Sequence, residues 1–533
     1  MSETADYVIV GAGTAGCVLA NRLSADPNIR VLLLEAGGSD RHPYVQAPVG
    51  FLKTFQDPRF NWCFSTAPGA GVDGRAIFFP RGRVLGGSSS INGHLYVRGQ
   101  HRDFDTWAQL GNRGWAYEDV LPYFRRAEDR STGGDAYHGA GGPQHVSDIH
   151  ERHPICEAFI DGAESLGLPR NSDYNGMRQE GLAYYQRTIR SGKRHSAASG
   201  FLHPVRNRPN LEVVSHAHVE RVVFEGRRAV GVRYRRYGQS HTATAAQEVI
   251  LAAGAIGSPQ LLQVSGIGDP EHLRGIGVDI VHALPSVGQG LQDHYAVRVV
   301  HRVPRPIPLN ERARGPRLLW EIGRWLATGK GLLAFSPAHV GAFVRSSDEL
   351  EEPDLQFVFT PASYSDGVIG QLQREPGMTL GVWQMRPHST GHVRALSSDT
   401  DDAPEIQPNY LTDLADQRAI VQGIRWGRKL LSSDDLEQYR GPETLPGPDI
   451  RTDDELLAYA RAKGATVYHA VSTCRMGTDA GAVVDPTLRV CGVEGLRVVD
   501  ASVMPTMVSA NTNAATMMIA EKASDLILEK AAP

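Results

Sequence analysis

Apolar residues in this chain fall into short, dense runs set between glycine-rich turns. Tyr7–Val10 is the first run, and it predicts a strand buried on both faces. Gly11, Gly13 and Gly16 follow as a GxGxxG turn. The first glycine permits a tight turn, the second lets backbone approach a pyrophosphate, and the third lets a helix pack closely on the strand. Cys17–Leu23 predicts that helix, whose N-terminal N–H groups favour an anion, and Ile29–Leu34 a second buried strand. Glu35 ends this strand, where a carboxylate accepts hydrogen bonds from ribose hydroxyls. Strand, glycine turn, helix, strand and acid in this order predict dinucleotide binding rather than an ordinary βα turn. The acid disfavours NADP, whose 2′-phosphate it would repel. The stretch alone does not separate NAD from FAD.

Residues 39–80, rich in Pro, Gly and aromatics, have no sustained period and predict a lid or wrap. Gly82–Gly99 reads GRVLGGSSSINGHLYVRG. Its Gly86, Gly87 and Ser88–Ser90 form a small-residue loop that lets backbone lie against a flat ring or a phosphate. Two helices are expected within Asp103–Glu128, with Trp107, Leu110, Val120, Leu121 and Phe124 facing the core. Residues 155–168 and Arg194–Phe201 predict further helices. Asn210–Val214, Val219–Phe224 and Gly231–Tyr237 read as strands, the last two as a hairpin. Glu248–Gly254 is again a buried-type strand, with a helix from about Pro259 to Val264. Residues 300–460 carry more charge and proline and no further nucleotide-type turn. There, Leu355–Thr360, Met378–Arg386 and Gly391–Leu396 predict the antiparallel sheet of a separate cap, with helices at Asp413–Leu431 and Asp453–Ala462. Leu496–Asp500 is a last strand, Ser509–Asn513 a polar cluster, and Ala514–Leu528 a terminal helix.

The 533 residues allow two or three domains with sizeable cores, and 41% hydrophobic with 21% charged residues is an ordinary globular balance. A net charge of −4 gives no reason to expect a nucleic-acid partner. Cys17, Cys63, Cys156, Cys474 and Cys491 are scattered and form no CxxC, which argues against a disulfide framework or a structural zinc. His138, His145, His150 and His153 are irregularly spaced without an acidic ligand pattern, so they read as solvated loop histidines and not a metal centre. The polar Met1–Tyr7 lacks a signal-peptide pattern, and no apolar run approaches ~18 residues, so a soluble, cytoplasmic protein without a membrane span is expected.

Taken together, the N-terminal fingerprint and GRVLGGSSSINGHLYVRG resemble the glucose–methanol–choline (GMC) oxidoreductase family. So do AAGAIGSPQLLQVSGIG, VGQGLQDH, YHAVSTCRMG and GLRVVDASVMPTMVSANTNAATMMIAEKASDLI, in this order along nearly the whole chain. The nearest likeness is to bacterial choline-dehydrogenase-like and sorbose-dehydrogenase-like members. The resemblance implies an α/β fold: a discontinuous Rossmann-type FAD-binding domain (1–155, 206–298, 463–533) and a substrate domain (156–205, 299–462). The latter is built on an antiparallel sheet flanked by helices. It further implies His469 as catalytic base and Asn511 as its partner, with Asn513 as the competitor for that second role. Gly11, Gly13, Thr14, Ala15, Gly16, Glu35, Ala36 and Val219 are implied at the ADP end of FAD. Trp62, Arg83, Gly86, Gly87, Ser88, Asn92, Gly93, Ala253 and Tyr468 are implied along the cofactor. Asp500, Ala501, Thr512 and Asn513 are implied near the ribityl chain and flavin pyrimidine. Some relatives tether FAD through a histidine near the GGSSS loop; Ile91 stands at that place here, so a noncovalent FAD is implied.

An alcohol gives up a proton from oxygen and a hydride from carbon. Histidine is suited to take the proton at neutral pH, and an asparagine amide can hold the developing alkoxide without competing for it. Cys474, five residues beyond His469, reads as packing rather than as a nucleophile. The expected reaction is oxidation of a small-molecule alcohol with electrons passed to a quinone or other acceptor. Oxygen as acceptor, or a lyase or light-driven decarboxylase on the same scaffold, are the alternatives. Choline-type recognition needs an aromatic cage and a carboxylate; Trp62, Trp320, Trp325, Trp383 and Tyr468 are the available aromatics.

Overall fold

A computed structural model describes residues 3–149, 151–304, 308–364 and 372–529. Its first sheet is organised on Glu3–Val10, which runs parallel to Val31–Glu35 on one side and to Gln239–Leu251 on the other. Leu211–Ser215 continues the parallel part beyond Val31–Glu35. The 13-residue strand Gln239–Leu251 serves two further neighbours. Its first half pairs antiparallel with Arg228–Arg236, which hairpins onto Ala217–Glu225, and its last three residues pair parallel with Leu496–Val498. Every residue of Val31–Glu35 is buried, as the unbroken apolar run requires of a strand covered on both faces.

The fingerprint helix spans Thr14–Leu23, one turn earlier than its apolar stretch. Gly16 explains the close packing, because a Cβ there would lie 1.9 Å from the Gly11 carbonyl oxygen. The terminal helix Thr512–Leu528 packs on it and is buried nearly all round, which is the setting of a core helix. Buried Glu521 receives both Arg22 and Arg126, so two neighbouring segments are tied to the terminal helix through one carboxylate.

The second sheet is antiparallel throughout, in the order Glu443–Leu445, Tyr295–Arg302, Gly377–Gln384, Leu355–Thr360, Val340–Val344, Gly181–Tyr184. Ala465–Thr466 also pairs with Tyr295–Arg302. The expected domain border at 298 therefore falls inside a strand, and residues 465–466, assigned to the cofactor domain, join the cap sheet. Gly391–Arg394 is not part of this sheet; it forms a smaller one with Gln289–Leu291 and Glu405–Gln407.

Other expectations are corrected. Leu110 is 51% exposed, because the helix His101–Gln109 ends before it. Arg194–Phe201 is not a regular helix but a two-residue strand followed by a π-helical turn over Ala198–Leu202. The helix after Gln239–Leu251 starts at Gly254, with Pro259 inside it. Proline lacks the N–H that would bond the Ala255 carbonyl, and the Thr473 hydroxyl donates to that carbonyl instead at 2.7 Å. His138 and His153 are buried rather than solvated. His138 lies 3.0 Å from both Glu128 and Asp173, which hold its pKa up to about 9 despite burial, while His145 pairs with Asp129. His150 lies outside the described residues. Among the described residues no group of three or more His, Cys, Asp or Glu converges on a metal position, and no helix is long and apolar enough to cross a membrane.

Candidate active site

One cavity of about 450 Å³ runs from the fingerprint turn to the cap sheet. Gly11, Gly13, Thr14, Ala15, Glu35, Ala36 and Val219 line its first end. Gly87, Ser88, Asn92, Gly93, Trp62 and Ala253 line its course, and Tyr468, His469, Asp500, Ala501, Asn511, Thr512 and Asn513 its far end. The irregular 39–80 stretch contributes Phe51, Phe55, Phe64 and Pro80 to the wall, which accounts for a segment with no sustained period. Three of the expected cofactor residues are not on the wall. Gly16 sets helix packing. Gly86 adopts a left-handed turn at φ 88°, where a Cβ would collide with Ser90. Arg83 lies behind Trp62, with its guanidinium 4.7 Å from the ring centroid.

The fingerprint turn and the GGSSS loop form one cradle. A Cβ on Gly87 would come within 2.7 Å of the Gly13 Cα, so only glycine allows this approach. Glu35 is buried and accepts from the Ala12 and Gly37 N–H groups, each at 2.8 Å. Burial raises its pKa to about 7 against those two bonds. A carboxylate retains further lone pairs for ribose hydroxyls.

Two helices present uncapped N-termini to this cavity. Gly13 precedes Thr14–Leu23 without a side chain, and Asn511 precedes Thr512–Leu528 without capping it. By contrast Asp269, Asp413 and Thr452 cap helices elsewhere. N–H groups left without a cap, with the helix dipole behind them, suit a pyrophosphate at one end and the electron-rich pyrimidine edge of a flavin at the other. The Thr14 hydroxyl donates to Asn513 Oδ1 at 2.7 Å and locks the two helix starts together. Asn513 is thereby occupied, and Asn511 is the asparagine that faces His469. The residues present thus fit a flavin dinucleotide along the full cavity.

Asn511 leaves its helix uncapped because its amide is engaged elsewhere. Asn511 Nδ2 lies 3.1 Å from His469 Nε2, and Gln356 Nε2 donates to Asn511 Oδ1 at 3.2 Å. His469 is fixed through its backbone, whose N–H donates to Asp293 Oδ1 at 2.6 Å. The other oxygen of Asp293 accepts from Tyr410 and Thr466. Tyr468, at φ 70°, makes the left-handed bend that turns His469 to the cavity, and Arg81 donates to the Tyr468 carbonyl at 2.8 Å. Burial, then the neighbours His294 and Arg81, hold the His469 imidazole well below its ordinary pKa of 6.5. It is neutral at pH 7 and able to accept a proton.

His294 was not legible as a site residue. Its Nδ1 lies 2.9 Å from His469 Nδ1, and its Nε2 lies 2.7 Å from the Met385 carbonyl oxygen. Only its place in VGQGLQDH marks it in the sequence. Of the five aromatics, Trp383 and Tyr468 flank His469, and Trp62 stacks on Phe64 farther along the cavity. Trp320 is 63% exposed, and Trp325 donates to the Gly192 carbonyl; neither lines the cavity. Cys474 is fully buried and its thiol is pushed well up, as packing rather than nucleophilic chemistry requires.

Proteins of known family resemble this chain in sequence and fold. GMC oxidoreductase family profiles match residues 5–296 and 387–520. The chain is 45% identical to the mitochondrial choline dehydrogenase of Homo sapiens, over 99% of this chain and 90% of that one. It is 41% identical to an alcohol dehydrogenase (acceptor) of Pseudomonas putida, over 98% and 96%. Pyridoxine 4-oxidase from Mesorbium loti superposes with a TM-score of 0.88 at 32% identity, covering 98% of both chains. A formate oxidase gives 0.92 at 26% identity, covering 99% of this chain and 98% of that one. The chain therefore belongs to the GMC oxidoreductases, FAD-dependent enzymes acting on CH–OH donors.

Proposed function

We propose that this enzyme oxidises an alcohol to an aldehyde or ketone with His469 as the base. The observation that carries the reading is the 3.1 Å separation of His469 Nε2 and Asn511 Nδ2 on one cavity wall. One substrate oxygen seated on the cavity side of this pair, in place of their mutual hydrogen bond, is within hydrogen-bond reach of both. His469 Nε2 takes the hydroxyl proton, and Asn511 Nδ2–H donates to the oxygen as negative charge develops. Trp383 packs its ring against the imidazole, and Gln356 orients the Asn511 amide by donating to its oxygen. FAD, when bound, supplies the hydride acceptor. Its binding is read as noncovalent, because Ile91 offers no nucleophile at the place where some relatives carry a histidine.

The acceptor in this reading is a quinone or similar carrier, in keeping with relatives named as dehydrogenases. Oxygen is the second reading, favoured by relatives named oxygen-dependent choline dehydrogenase and by the oxidases of similar fold. A panel of alcohols tests the whole. Anaerobic bleaching of the flavin by at least one alcohol is expected, with dye reduction exceeding hydrogen peroxide release in air. A flavin that no alcohol bleaches would move the chain to the lyase class.

A further inference from the structure

The solvent-exposed rim of the cavity holds a cationic group that the alcohol chemistry does not use. Arg298 lies on Tyr295–Arg302 and lines the cavity beside Gly381, its register partner. Its guanidinium carbon is 5.8 Å from the ring centroid of Tyr364, another lining residue. Among the described residues no carboxylate stands at ion-pair distance from it and no acceptor at hydrogen-bond distance.

The same wall holds little that would attract a cation. Its carboxylates among the described residues are Glu35 and Asp500. Glu35 belongs to the fingerprint end. Asp500 is consumed by the Gly254 and Ser502 N–H groups and by the Ser258 and Ser502 hydroxyls. The lining cations are Arg81 and Arg298. Arg81 is partly buried and donates to the Tyr468 carbonyl, whereas Arg298 is exposed and has no hydrogen-bond or ion-pair partner among the described residues. A trimethylammonium group would find aromatic rings here but no compensating acid, and Arg298 already lies against Tyr364.

We infer that Arg298 forms an anion subsite, and that the alcohol oxidised here carries an oxyanion such as a carboxylate at the end opposite its hydroxyl. This rests on the alcohol-oxidation reading above. The sheet register places Arg298 on the same strand face as Ala296. Ala296 pairs with Trp383, whose ring contacts His469, and Arg298 lies two residues further along, roughly 7 Å at strand spacing. A hydroxymethyl group and a carboxylate on opposite ends of one benzene ring make a rigid probe that holds the two groups apart. The planar fork of a guanidinium binds a carboxylate through two parallel N–H donors, and an amide cannot replace it.

The test compares 4-(hydroxymethyl)benzoate, its methyl ester and a matched trimethylammonium benzyl alcohol on the FAD-loaded enzyme. The carboxylate is expected to have the highest kcat/KM. In Arg298→Gln the carboxylate-to-ester ratio should fall by about 10- to 100-fold, the scale of one lost charged hydrogen bond. Arg298→Lys should retain part of the preference. Benzoate, which has no hydroxyl to oxidise, should perturb the flavin spectrum on binding, with a Kd that rises by a similar factor in Arg298→Gln. FAD content and circular dichroism check that each variant is folded. Preference for the ester or the trimethylammonium compound, or a ratio and a benzoate Kd unchanged in Arg298→Gln, would overturn the inference. If none of the alcohols reduces the flavin, the alcohol-oxidation reading is what fails, and benzoate binding alone decides the subsite.

Discussion

His294 Nδ1 and His469 Nδ1 face each other at 2.9 Å, and this contact sets which nitrogen of His469 is basic. The other ring nitrogen of His294, Nε2, meets the Met385 carbonyl at 2.7 Å, so Nε2 carries the proton and donates. His294 Nδ1 is then a lone pair, and His469 Nδ1–H must donate to it. The lone pair of His469 is left on Nε2, aimed at Asn511 and the cavity. The tautomer is thus assigned by the hydrogen-bond network. His294→Phe removes the acceptor and frees the imidazole to choose the wrong tautomer. Loss of one net hydrogen bond predicts flavin reduction roughly 2- to 10-fold slower at unchanged FAD content. An unchanged rate would show that His469 holds its tautomer without His294.

The acid limb of the pH profile should lie low. Burial depresses the His469 pKa, so the base is already neutral where an ordinary histidine would be half protonated. Anaerobic flavin reduction in the free enzyme is expected to stay flat from about pH 8 down to 6.5 and to fall only below that. Stability runs the same way. The unfolded chain protonates this histidine at its ordinary pKa and the folded chain resists, so His469 costs stability as pH drops below about 6.5. A rate limb at or above pH 6.5 would contradict the burial argument.

Glu35→Ala should damage cofactor retention and folding together. The carboxylate accepts from two buried N–H groups, Ala12 and Gly37, and leaving a buried donor unpaired costs about 1–3 kcal/mol. A lower melting temperature in the FAD-free protein and a weaker FAD Kd are expected, while enzyme saturated with FAD keeps its rate of flavin reduction. Tight FAD retention with lost chemistry would refute this division of labour.

FAD should leave the protein on denaturation. Acid precipitation is expected to put yellow flavin in the supernatant, since Ile91 packs its alkyl chain among Val45, Phe51 and Val84. Flavin that stays in the pellet would contradict the noncovalent reading. His94 would then be the residue to map, because it lines the cavity and neither ring nitrogen has a partner among the described residues.

The fingerprint turn was legible because its requirements are local: three glycines, two apolar runs and one acid within about 30 residues. His469 and Asn511 were reachable only through resemblance, since nothing in local periodicity brings residues 42 positions apart together. His294 acts across 175 positions, and its neighbours Asp293 and Tyr295 give no local sign of that contact. The helix at Gly254 was placed too late because proline at an N-terminus is the usual start signal, and the compensating hydroxyl, Thr473, is 218 residues away. Leu110 misled because the helix His101–Gln109 ends before it, and His138 because its partner Asp173 is 35 positions away.

If His469 and Asn511 act on one substrate oxygen, a double-mutant cycle on anaerobic flavin reduction shows it most directly. His469→Ala should cost about 10²–10⁴-fold. Asn511→Ala should cost on the order of 10²–10³-fold. FAD content is measured for every variant. The double variant should lose far less than the product of the two single losses, because residues that grip one atom act as a unit. Strictly multiplicative losses would separate the two residues, and a near-normal rate in His469→Ala would remove the base from the mechanism.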